Sequence, residues 1–400
     1  MNVLYFTSRE ILPLDSGDAV RANNICKNLK EMGNNIFLVY FGGEPDNPSE
    51  LFNICNDYKA IKFPSYLDTI PGRIYKTALA FFPAQHLPTP EVIRQVESEI
   101  VEFGQKNNVD VLQINSPRAP GWVTIELDTF TKVIDFGDSF SLQFKRDMNS
   151  SQSIVEYLNN FIKYVWMKNL EEKMISAFDG SVVVSNQDAN ALRNVASGGD
   201  ISVIKNGVDT VKFMPDNKLR GSDSEYDIVF HGNLDFPPNK KAVEYILQDV
   251  YPQIVNKRPN TKFLIVGPNP PMELQTEQVN NVEFTGYVDD IVKTISNAKI
   301  ALLPMVSGSG IKNKILEAMA LEIPVVSNPL GVEALSDNAV NQISVGNDAN
   351  DLANRSLSLL DDRCKRHKIG EQSRQVMIDE YSWSEVSEEF ESYYNELHCE

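Results

Sequence analysis

Residues 307–321, which read SGSGIKNKILEAMAL, constrain the fold more than any other stretch of this chain. The apolar residues 300–303 precede them and a second apolar run, residues 323–326, follows, so the stretch joins two predicted buried strands. Apolar residues inside it recur at helical spacing and predict a helix with one apolar face: Ile311, Ile315, Leu316 and Met319. A strand, a glycine-rich turn, a helix and a second strand in this order are typical of a parallel sheet covered by helices.

The turn and the start of this helix predict a ligand site. Gly308 and Gly310 leave backbone N–H groups open at the helix start, where the helix dipole is positive, and Lys312 adds a cation in the first turn. Asn313 and Glu317 are four residues apart and are therefore neighbours on the other helix face. A phosphate would bind at the turn, and the carboxylate would accept from a sugar hydroxyl. The stretch therefore predicts one half of a nucleotide-sugar site.

The total charge argues against one class of partner. The 400-residue chain has a formal net charge of -18 and a pI near 4.8, whereas a generic nucleic-acid-binding protein needs a basic face. A local basic pocket for a phosphorylated ligand stays compatible with this charge. The length favours two domains, and 42% apolar with 23% charged residues is ordinary for a soluble globular chain.

The cysteines and the N-terminus indicate a compartment. The four cysteines are widely scattered, without a CxxC pair or a Cys/His cluster, which argues against a disulfide framework and a structural zinc site. The first ten residues, MNVLYFTSRE, lack the basic region of a signal peptide and predict a strand. No run of 18 apolar residues predicts a membrane span. We therefore expect a cytoplasmic protein that is either free or at the inner face of the membrane.

The N-terminal half begins as a strand–loop–helix–strand unit of the Rossmann kind. Residues 3–7 and 36–41 are the predicted strands, and residues 17–32 are the predicted helix between them. Gly17 would let a ligand approach the start of that helix, although a plain loop that uses glycine for tightness explains it equally well. The loop at residues 8–18 lacks the Gly-x-Gly-x-x-Gly fingerprint, which argues against a dinucleotide-dependent dehydrogenase.

Two carboxylates follow a predicted strand at residues 132–136. Asp135 and Asp138 lie at its carboxyl end, which is where open α/β sheets bind ligands. A helix cap provided by Asp138 or Ser139 accounts for the pattern equally well, so the sequence leaves both interpretations open.

Two apolar stretches need a surface to pack against. Residues 157–178 predict a long helix whose aromatic stripe is expected in the core: Tyr157, Phe161, Tyr164 and Trp166. Residues 74–82 (IYKTALAFF) could touch a membrane surface or line an acceptor cleft, but a buried helix is the favoured interpretation.

A second series of strands and helices starts at Asp227 and carries recognisable motifs. The segments are residues 230–233 (FHGN), 284–288 (FTGYV), 308–314 (GSGIKNK), 316–320 (LEAMA) and 324–327 (PVVS). They resemble the retaining glycosyltransferases of family 4, in particular a sub-branch with a Gly-x-Gly-Ile-Lys-Asn-Lys turn. Residues 205–209 (KNGVD) are similar to the family's interdomain segment, and residues 381–383 (YSW) to the start of its C-terminal helix.

The resemblance implies the α/β GT-B fold, with two facing Rossmann-like domains, parallel sheets and an interdomain cleft. It implies an acceptor-side domain at residues 1–207, a donor-binding domain at residues 208–381, and a helix at residues 382–400 that crosses back to the first domain. The implied reaction moves a sugar from a UDP- or GDP-linked donor to a glycan, lipid-linked or small-molecule acceptor. The nucleotide sugar is a substrate, so no cofactor is implied, and the oligomeric state stays unknown.

The resemblance also assigns residues to the donor. Thr285, Gly286, Tyr287 and Val288 would meet the base through backbone groups, and Glu317 would accept from the ribose. The remaining donor contacts would come from Gly232, Asn233, Lys240, Gly308, Ser309, Gly310, Ile311, Lys312 and Asn313.

Further roles concern the chemistry and the first domain. Lys312 and Glu317 are the implied catalytic residues, and Asp138 is a candidate base on the acceptor side. Gly17 would close over the diphosphate, with Arg21 or Asp18 nearby. No Asp-x-Asp motif occurs in the chain, so a catalytic metal is not implied.

The chain departs from the family at two positions. Ser309 stands where the family often has the first of two glutamates separated by seven residues, and Asn233 stands where many relatives have a phosphate-binding arginine. Lys240 or Lys312 must then supply more of the positive charge, while Lys314 taken alone indicates a solvated helix face. The missing glutamate motivates an alternative, a non-catalytic sugar-nucleotide-binding subunit, and a GT-B sugar-nucleotide epimerase is a second alternative.

Overall fold

The computed structural model describes residues 1–7, 9–12, 17–45, 47–62, 90–115, 129–151, 153–196, 198–215, 224–271, 274, 281–308 and 310–399. The chain forms two compact units, one comprising Met1–Lys205 and Val386–Glu400 and the other comprising Asn206–Glu385. Ser309 and residues 74–82, both singled out from the sequence, lie outside the described residues.

A seven-stranded parallel sheet forms the centre of the N-terminal unit. Its strands are β1 (Asn2–Thr7), β2 (Asn35–Phe41), β3 (Asp57–Ile61), β4 (Val111–Asn115), β5 (Thr131–Gly137), β6 (Gly180–Val183) and β7 (Ile201–Val203). They lie in the order β3-β2-β1-β4-β5-β6-β7, so the winding reverses between β1 and β4. All residues of β1 after Asn2 are buried, as expected for a strand covered by helices on both faces.

The described residues before β8 form six helices of this unit: α1 (Gly17–Glu31), α2 (Pro48–Leu51), α3 (Pro90–Lys106), α4 (Phe140–Asn149), α5 (Ile154–Ile175) and α6 (Asn186–Arg193). Serines fix where three of them begin. The side chains of Ser139, Ser153 and Ser185 accept from backbone N–H groups in the first turns of α4, α5 and α6. Each bond satisfies a donor that the helix itself leaves unpaired.

A six-stranded parallel sheet forms the centre of the C-terminal unit. Its strands are β8 (Tyr226–His231), β9 (Phe263–Val266), β10 (Val282–Phe284), β11 (Ala298–Leu302), β12 (Val325–Ser327) and β13 (Ser344–Val345). They lie in the order β10-β9-β8-β11-β12-β13, so the winding reverses between β8 and β11. These two parallel sheets confirm the predicted α/β class.

The helices of the second half are α7 (Pro237–Tyr245), α8 (Tyr251–Lys257), α9 (Ile291–Ser296), α10 (Asn313–Ala320), α11 (Pro329–Val332), α12 (Asp337–Val340), α13 (Ala349–Asp361), α14 (Arg363–Tyr381) and α15 (Trp383–Cys399). A π-helical turn, Ile246–Val250, connects α7 to α8 without a break. Helix α15 packs on the N-terminal sheet from Val386 onward. Its Tyr394 hydroxyl donates to the buried Gln113 side chain on β4.

The prediction of a buried aromatic stripe on α5 is wrong for the first half of that helix. Tyr157 and Phe161 are 45% and 44% exposed. The buried apolar residues of α5 lie in its second half, at Met167, Met174 and Ile175. The apolar stripe is present, but in the part of the chain that the structure describes its N-terminal turns are exposed.

Candidate donor site

The candidate donor site lies at the carboxyl edge of the C-terminal sheet. Strand β8 ends at His231 and leads into Gly232, while the neighbouring β11 leads into the glycine turn before α10. The chain winds in opposite directions on the two sides of β8 and β11, which opens a crevice where α/β sheets bind ligands. Residues 230–233 and the glycine turn before α10 therefore both follow strands at the switch point of this sheet.

Two glycines shape the turn before α10. Gly308 and Gly310 have φ angles of 107° and 66°, a left-handed backbone that glycine adopts without a steric penalty. Lys312 is the residue that caps α10, with an extended backbone, so the predicted place in the first turn is shifted by one position. Its side chain is buried and its amine donates to the Gly310 carbonyl at 2.8 Å. The Lys312 side chain thus folds back onto the turn, to which it was predicted to add positive charge.

Glu317 has a partner that the sequence did not reveal. The Nε2 atom of His231 lies 3.0 Å from the Oε2 atom of Glu317. An ionised carboxylate only accepts hydrogen bonds, so Nε2 carries the proton and donates. His231 is buried, and its Nδ1 atom has no partner among the described residues. The histidine joins β8 to α10 and holds one oxygen of Glu317, whose side chain stays 28% exposed.

The residues that follow β8 form a second connected group. The side-chain amide of Asn239, on α7, donates to the Asn233 carbonyl at 2.8 Å. The amine of Lys314, on α10, donates to the other side of the same Asn239 amide group. Taken alone, Lys314 would indicate a solvated helix face, but its amine lies 4.5 Å from the centre of the Phe230 ring on β8. Lys240, by contrast, is 40% exposed and lies 4.0 Å from Glu244 on the same helix.

The segment predicted to meet the base follows β10. Thr285 and Gly286 continue the sheet edge, since the Thr285 N–H donates to Ile265 and the Gly286 carbonyl accepts from Gly267 at 3.2 Å. Tyr287 is 76% exposed. Two strand spacings separate β10 from β8, so this segment lies about 10 Å along the same edge from Gly232. Asn313, at the start of α10, accepts from the Asn206 side chain at 3.2 Å.

The residues predicted in the N-terminal unit have different environments. Gly17 is the first residue of α1, and a Cβ atom built on it would meet nothing within 4 Å. Arg21 is buried, and its guanidinium contacts Asp135 at 2.7 Å and the carbonyls of Ile204 and Lys205. The donors of Arg21 are thus engaged inside the unit, and the expectation that Arg21 or Asp18 lies near the diphosphate stays a prediction.

Asp138 precedes α4 and is partly exposed. Of the two caps considered, Ser139 is the one whose side chain caps the helix. Asp135 pairs with Arg21, and the role of Asp138 as a base on the acceptor side stays a prediction. Among the described residues no three His, Cys, Asp or Glu side chains come together as a metal site would require.

Two glycosyltransferase family models match the chain. The model described as Glycosyltransferase Family 4 matches residues 16–212, and the model described as Glycosyl transferases group 1 matches residues 225–362. The boundary between the two matches lies near the boundary between the two structural units.

Known proteins are similar to the chain in sequence or in fold. It is 30% identical over 153 residues to a GDP-mannose-dependent monoacylated alpha-(1-6)-phosphatidylinositol monomannoside mannosyltransferase of Corynebacterium glutamicum, covering 34% of this chain and 39% of that protein. The matches span between 39% and 58% of the length of the curated relatives.

Two solved structures share the fold over the whole chain. Sucrose-phosphate synthase from Thermosynechococcus elongatus has a TM-score of 0.73 at 16% identity, covering 100% of both chains. Anabaena HepE in complex with UDP has a TM-score of 0.68 at 15% identity, covering 99% of this chain and 100% of that chain. The family models and the shared fold together identify the chain as a family 4-like GT-B glycosyltransferase.

Proposed function

We propose that this protein transfers a sugar from a nucleotide diphosphate sugar to a glycan, lipid-linked or small-molecule acceptor, with retention of the anomeric configuration and without a catalytic metal. The observation that carries the proposal is the Glu317–His231 pair beside the glycine turn before α10. An anion-binding turn and a carboxylate that accepts from hydroxyls match the two parts of the donor that every nucleotide sugar shares, the diphosphate and the ribose.

Stabilisation of the departing diphosphate would supply the rate acceleration. The turn and the first turn of α10 present backbone N–H groups that have no acceptor within the helix, and the buried Lys312 adds positive charge beside them. Negative charge grows on the diphosphate oxygens in the transition state, so fixed donors at that place lower the barrier. A departing phosphate oxygen takes the acceptor's proton, and attack from the leaving-group side retains the configuration. Asp138 is the candidate for an additional base on the acceptor side.

Glu317 would bind the ribose. His231 holds one carboxylate oxygen, so the other oxygen is oriented before the donor arrives. Such preorganisation reduces the entropy lost on binding. The nucleotide is UDP or GDP in this proposal, because HepE binds UDP in its solved structure and the Corynebacterium relative is named as GDP-mannose-dependent. Backbone groups at Thr285–Val288 would contact the base.

The exposed stripe of α5 supports a lipid bilayer as a partner of the N-terminal unit. Large apolar side chains on successive turns of this helix are 38–79% exposed: Ile154, Val155, Tyr157, Leu158, Phe161, Ile162 and Val165. A continuous apolar patch of this kind marks an interaction surface more often than a solvated one. The Corynebacterium relative is named for a phosphatidylinositol-based acceptor, which suits contact with lipid. Among the described residues no helix has the length and apolarity needed to cross a membrane, so the proposed contact is peripheral.

A donor panel tests the transfer reaction. The protein is incubated with UDP- and GDP-linked sugars, with and without glycan and lipid acceptors, and release of UDP or GDP is measured. We expect release with one donor class, lost in Lys312→Ala and kept in Lys241→Ala, an exposed lysine of α7. Donor binding without release under any condition would favour a non-catalytic binding subunit. Conversion of the donor sugar into its epimer would favour a GT-B epimerase.

A further inference from the structure

Lys314 has an environment that the proposed function does not yet use. It lies in the first turn of α10, and its side chain runs back toward β8. The amine lies 4.5 Å from the centre of the Phe230 ring and donates to the side-chain oxygen of Asn239. An aromatic face and a neutral amide attract a cation more weakly than a carboxylate does, so among the described residues the amine has no full counter-charge in direct contact.

The amine also lies against the backbone of the switch point. A Cβ atom at Gly232 would lie 3.1 Å from the Lys314 amine and 2.8 Å from the Asn239 amide nitrogen. Gly232 has a φ of 148°, where other residues are strained, so glycine is needed here for both backbone and space. Because Asn239 also holds the Asn233 carbonyl, the amine belongs to one connected group at the carboxyl end of β8.

The surrounding charges keep the amine close to losing its proton. Burial, the largest effect, lowers the pKa of Lys314 to about 7, the nearby carboxylate of Glu317 opposes this change, and the like charge of Lys312 adds to it. Among the described residues, Lys312 and Glu317 on α10 act on the amine, His231 on β8 pairs with Glu317, and α7 carries Lys240 with its partner Glu244.

We propose that Lys314 is a diphosphate-binding residue of the donor site and that its amine takes up a proton from solvent when a nucleoside diphosphate binds. This inference rests on the proposed function. The phosphate oxygens bring the counter-charge that the amine lacks, and an opposite charge at close range favours the protonated form of a lysine. No covalent bond changes in this step, and the proton moves from water to Nζ.

Proton uptake on binding determines how the affinity for the nucleotide changes with pH. Binding raises the proton affinity of Lys314, so a proton is taken up with the ligand at pH values above about 7. The affinity for a nucleoside diphosphate therefore falls as the pH rises above this value, by up to about tenfold per pH unit. Below it the amine already carries its proton, and the contribution of Lys314 to the pH dependence disappears.

Isothermal titration calorimetry with UDP and GDP measures this proton directly. The titrations are run at pH 8 in two buffers of different ionisation enthalpy, because the terminal phosphate of both probes is ionised there and any proton taken up belongs to the protein. We expect uptake approaching about one proton per bound nucleotide in the wild type. Lys314→Met should bind more weakly and take up little, and Lys314→Arg, which is always charged, should bind without uptake. Lys241→Met, on the exposed part of α7, is the matched control and should behave as the wild type.

The outcomes separate this inference from the proposed function. Binding of UDP or GDP to the wild type without proton uptake, or unchanged uptake in Lys314→Met, overturns the role of Lys314 and leaves the donor class intact. Absence of binding of both nucleotides to the wild type overturns both proposals. If Lys314→Met does not fold, the wild-type titration and Lys314→Arg decide the question.

Discussion

Glu317 has two tasks in the proposed site, since it holds His231 and would accept from the ribose. We expect Glu317→Gln to lower kcat/KM for the donor by about 10- to 100-fold, because a hydrogen bond to a charged group contributes about 1.5–3 kcal/mol. The loss should appear mainly in the KM of the donor if the contact is equally strong in the ground and transition states. Steady-state kinetics with the donor found in the panel measures both terms.

The chain contains a matched control for Glu317→Gln. Glu371 on α14 also pairs with a histidine, since its carboxylate lies 3.4 Å from the Nε2 atom of His367, but both side chains are more than half exposed. Glu371→Gln removes a similar histidine–carboxylate contact that is no part of the proposed donor site and should leave kcat/KM within about twofold, because exposed pairs contribute little. Equal kinetics in the two variants would contradict the role of Glu317.

A buried carboxyl in the N-terminal unit predicts how stability changes with pH. Glu171 is fully buried, its Oε1 atom accepts from the Ser141 N–H at 3.1 Å, and its Oε2 atom has no partner among the described residues. Burial raises the pKa of Glu171 to about 7, although the hydrogen bonds from Ser141 and Ser139 oppose this. The folded protein therefore favours the protonated carboxyl.

Because the pKa of Glu171 is higher in the folded than in the unfolded protein, the group contributes its full stability at pH values below the unfolded-state pKa. This stability is lost as the pH rises through about 7. Glu171→Gln removes this titration. Between pH 4.5 and pH 8 the free energy of unfolding of the variant should therefore fall by roughly 3 kcal/mol less than that of the wild type. Denaturant unfolding at several pH values measures this. The neighbouring Glu172→Gln, on the exposed side of α5, should keep the wild-type profile. Parallel profiles for Glu171→Gln and the wild type would show that Glu171 is ionised throughout.

For single residues, the sequence predicted contacts between residues close together in the chain and missed contacts between residues far apart in the chain. Glu317 and the glycine turn lie within one motif, so their proximity follows from helical spacing. Lys314 looked solvated because its contacts, Phe230 and Asn239, lie 84 and 75 residues away in the chain. The sequence did not indicate the pairing of Arg21 with Asp135, because the two residues are 114 positions apart in the chain.

Among the elements, α5 gives the clearest prediction. Val155→Glu on the exposed stripe should reduce binding to vesicles of phosphatidylglycerol and phosphatidylcholine severalfold, because a charged side chain would enter the apolar boundary of the bilayer. Val211→Glu is the matched control, since Val211 is 81% exposed in the other unit and Val155 is 78% exposed. Vesicle co-flotation measures the bound fraction. If both variants float with the vesicles to the same extent as the wild type, α5 does not contact the membrane.

The elements themselves were predictable where the pattern is local. Helix α10 and its flanking strands were expected from periodicity, and the structure has them within a few residues. The environment of α5 was not predictable, because helical spacing defines an apolar stripe without defining what covers it. The stripe runs along the whole helix, but its buried residues lie only in the second half.

For the molecule as a whole, the absence of an Asp-x-Asp motif predicts metal-independent turnover. Positive charge at the diphosphate would come from Lys312 and the turn in place of a divalent cation. The initial rate of sugar transfer should therefore change less than about twofold when EDTA is added to metal-free buffer. Loss of activity in EDTA that magnesium or manganese restores would contradict this prediction.

The N-terminal unit is built from two separate segments of the chain, and this affects when it can be completed during synthesis. Helix α15 is made after the whole C-terminal unit, yet its Tyr394 binds Gln113 and its Phe390 lies 5.3 Å from the Arg21 guanidinium. A ribosome that adds about 5–20 residues per second needs roughly 10–40 s to translate the intervening residues Asn206–Glu385. During that interval the nascent N-terminal sheet exists without helix α15, and Gln113 and Arg21 lack their contacts with that helix. Premature termination within Asn206–Glu385 would thus leave both units unfinished.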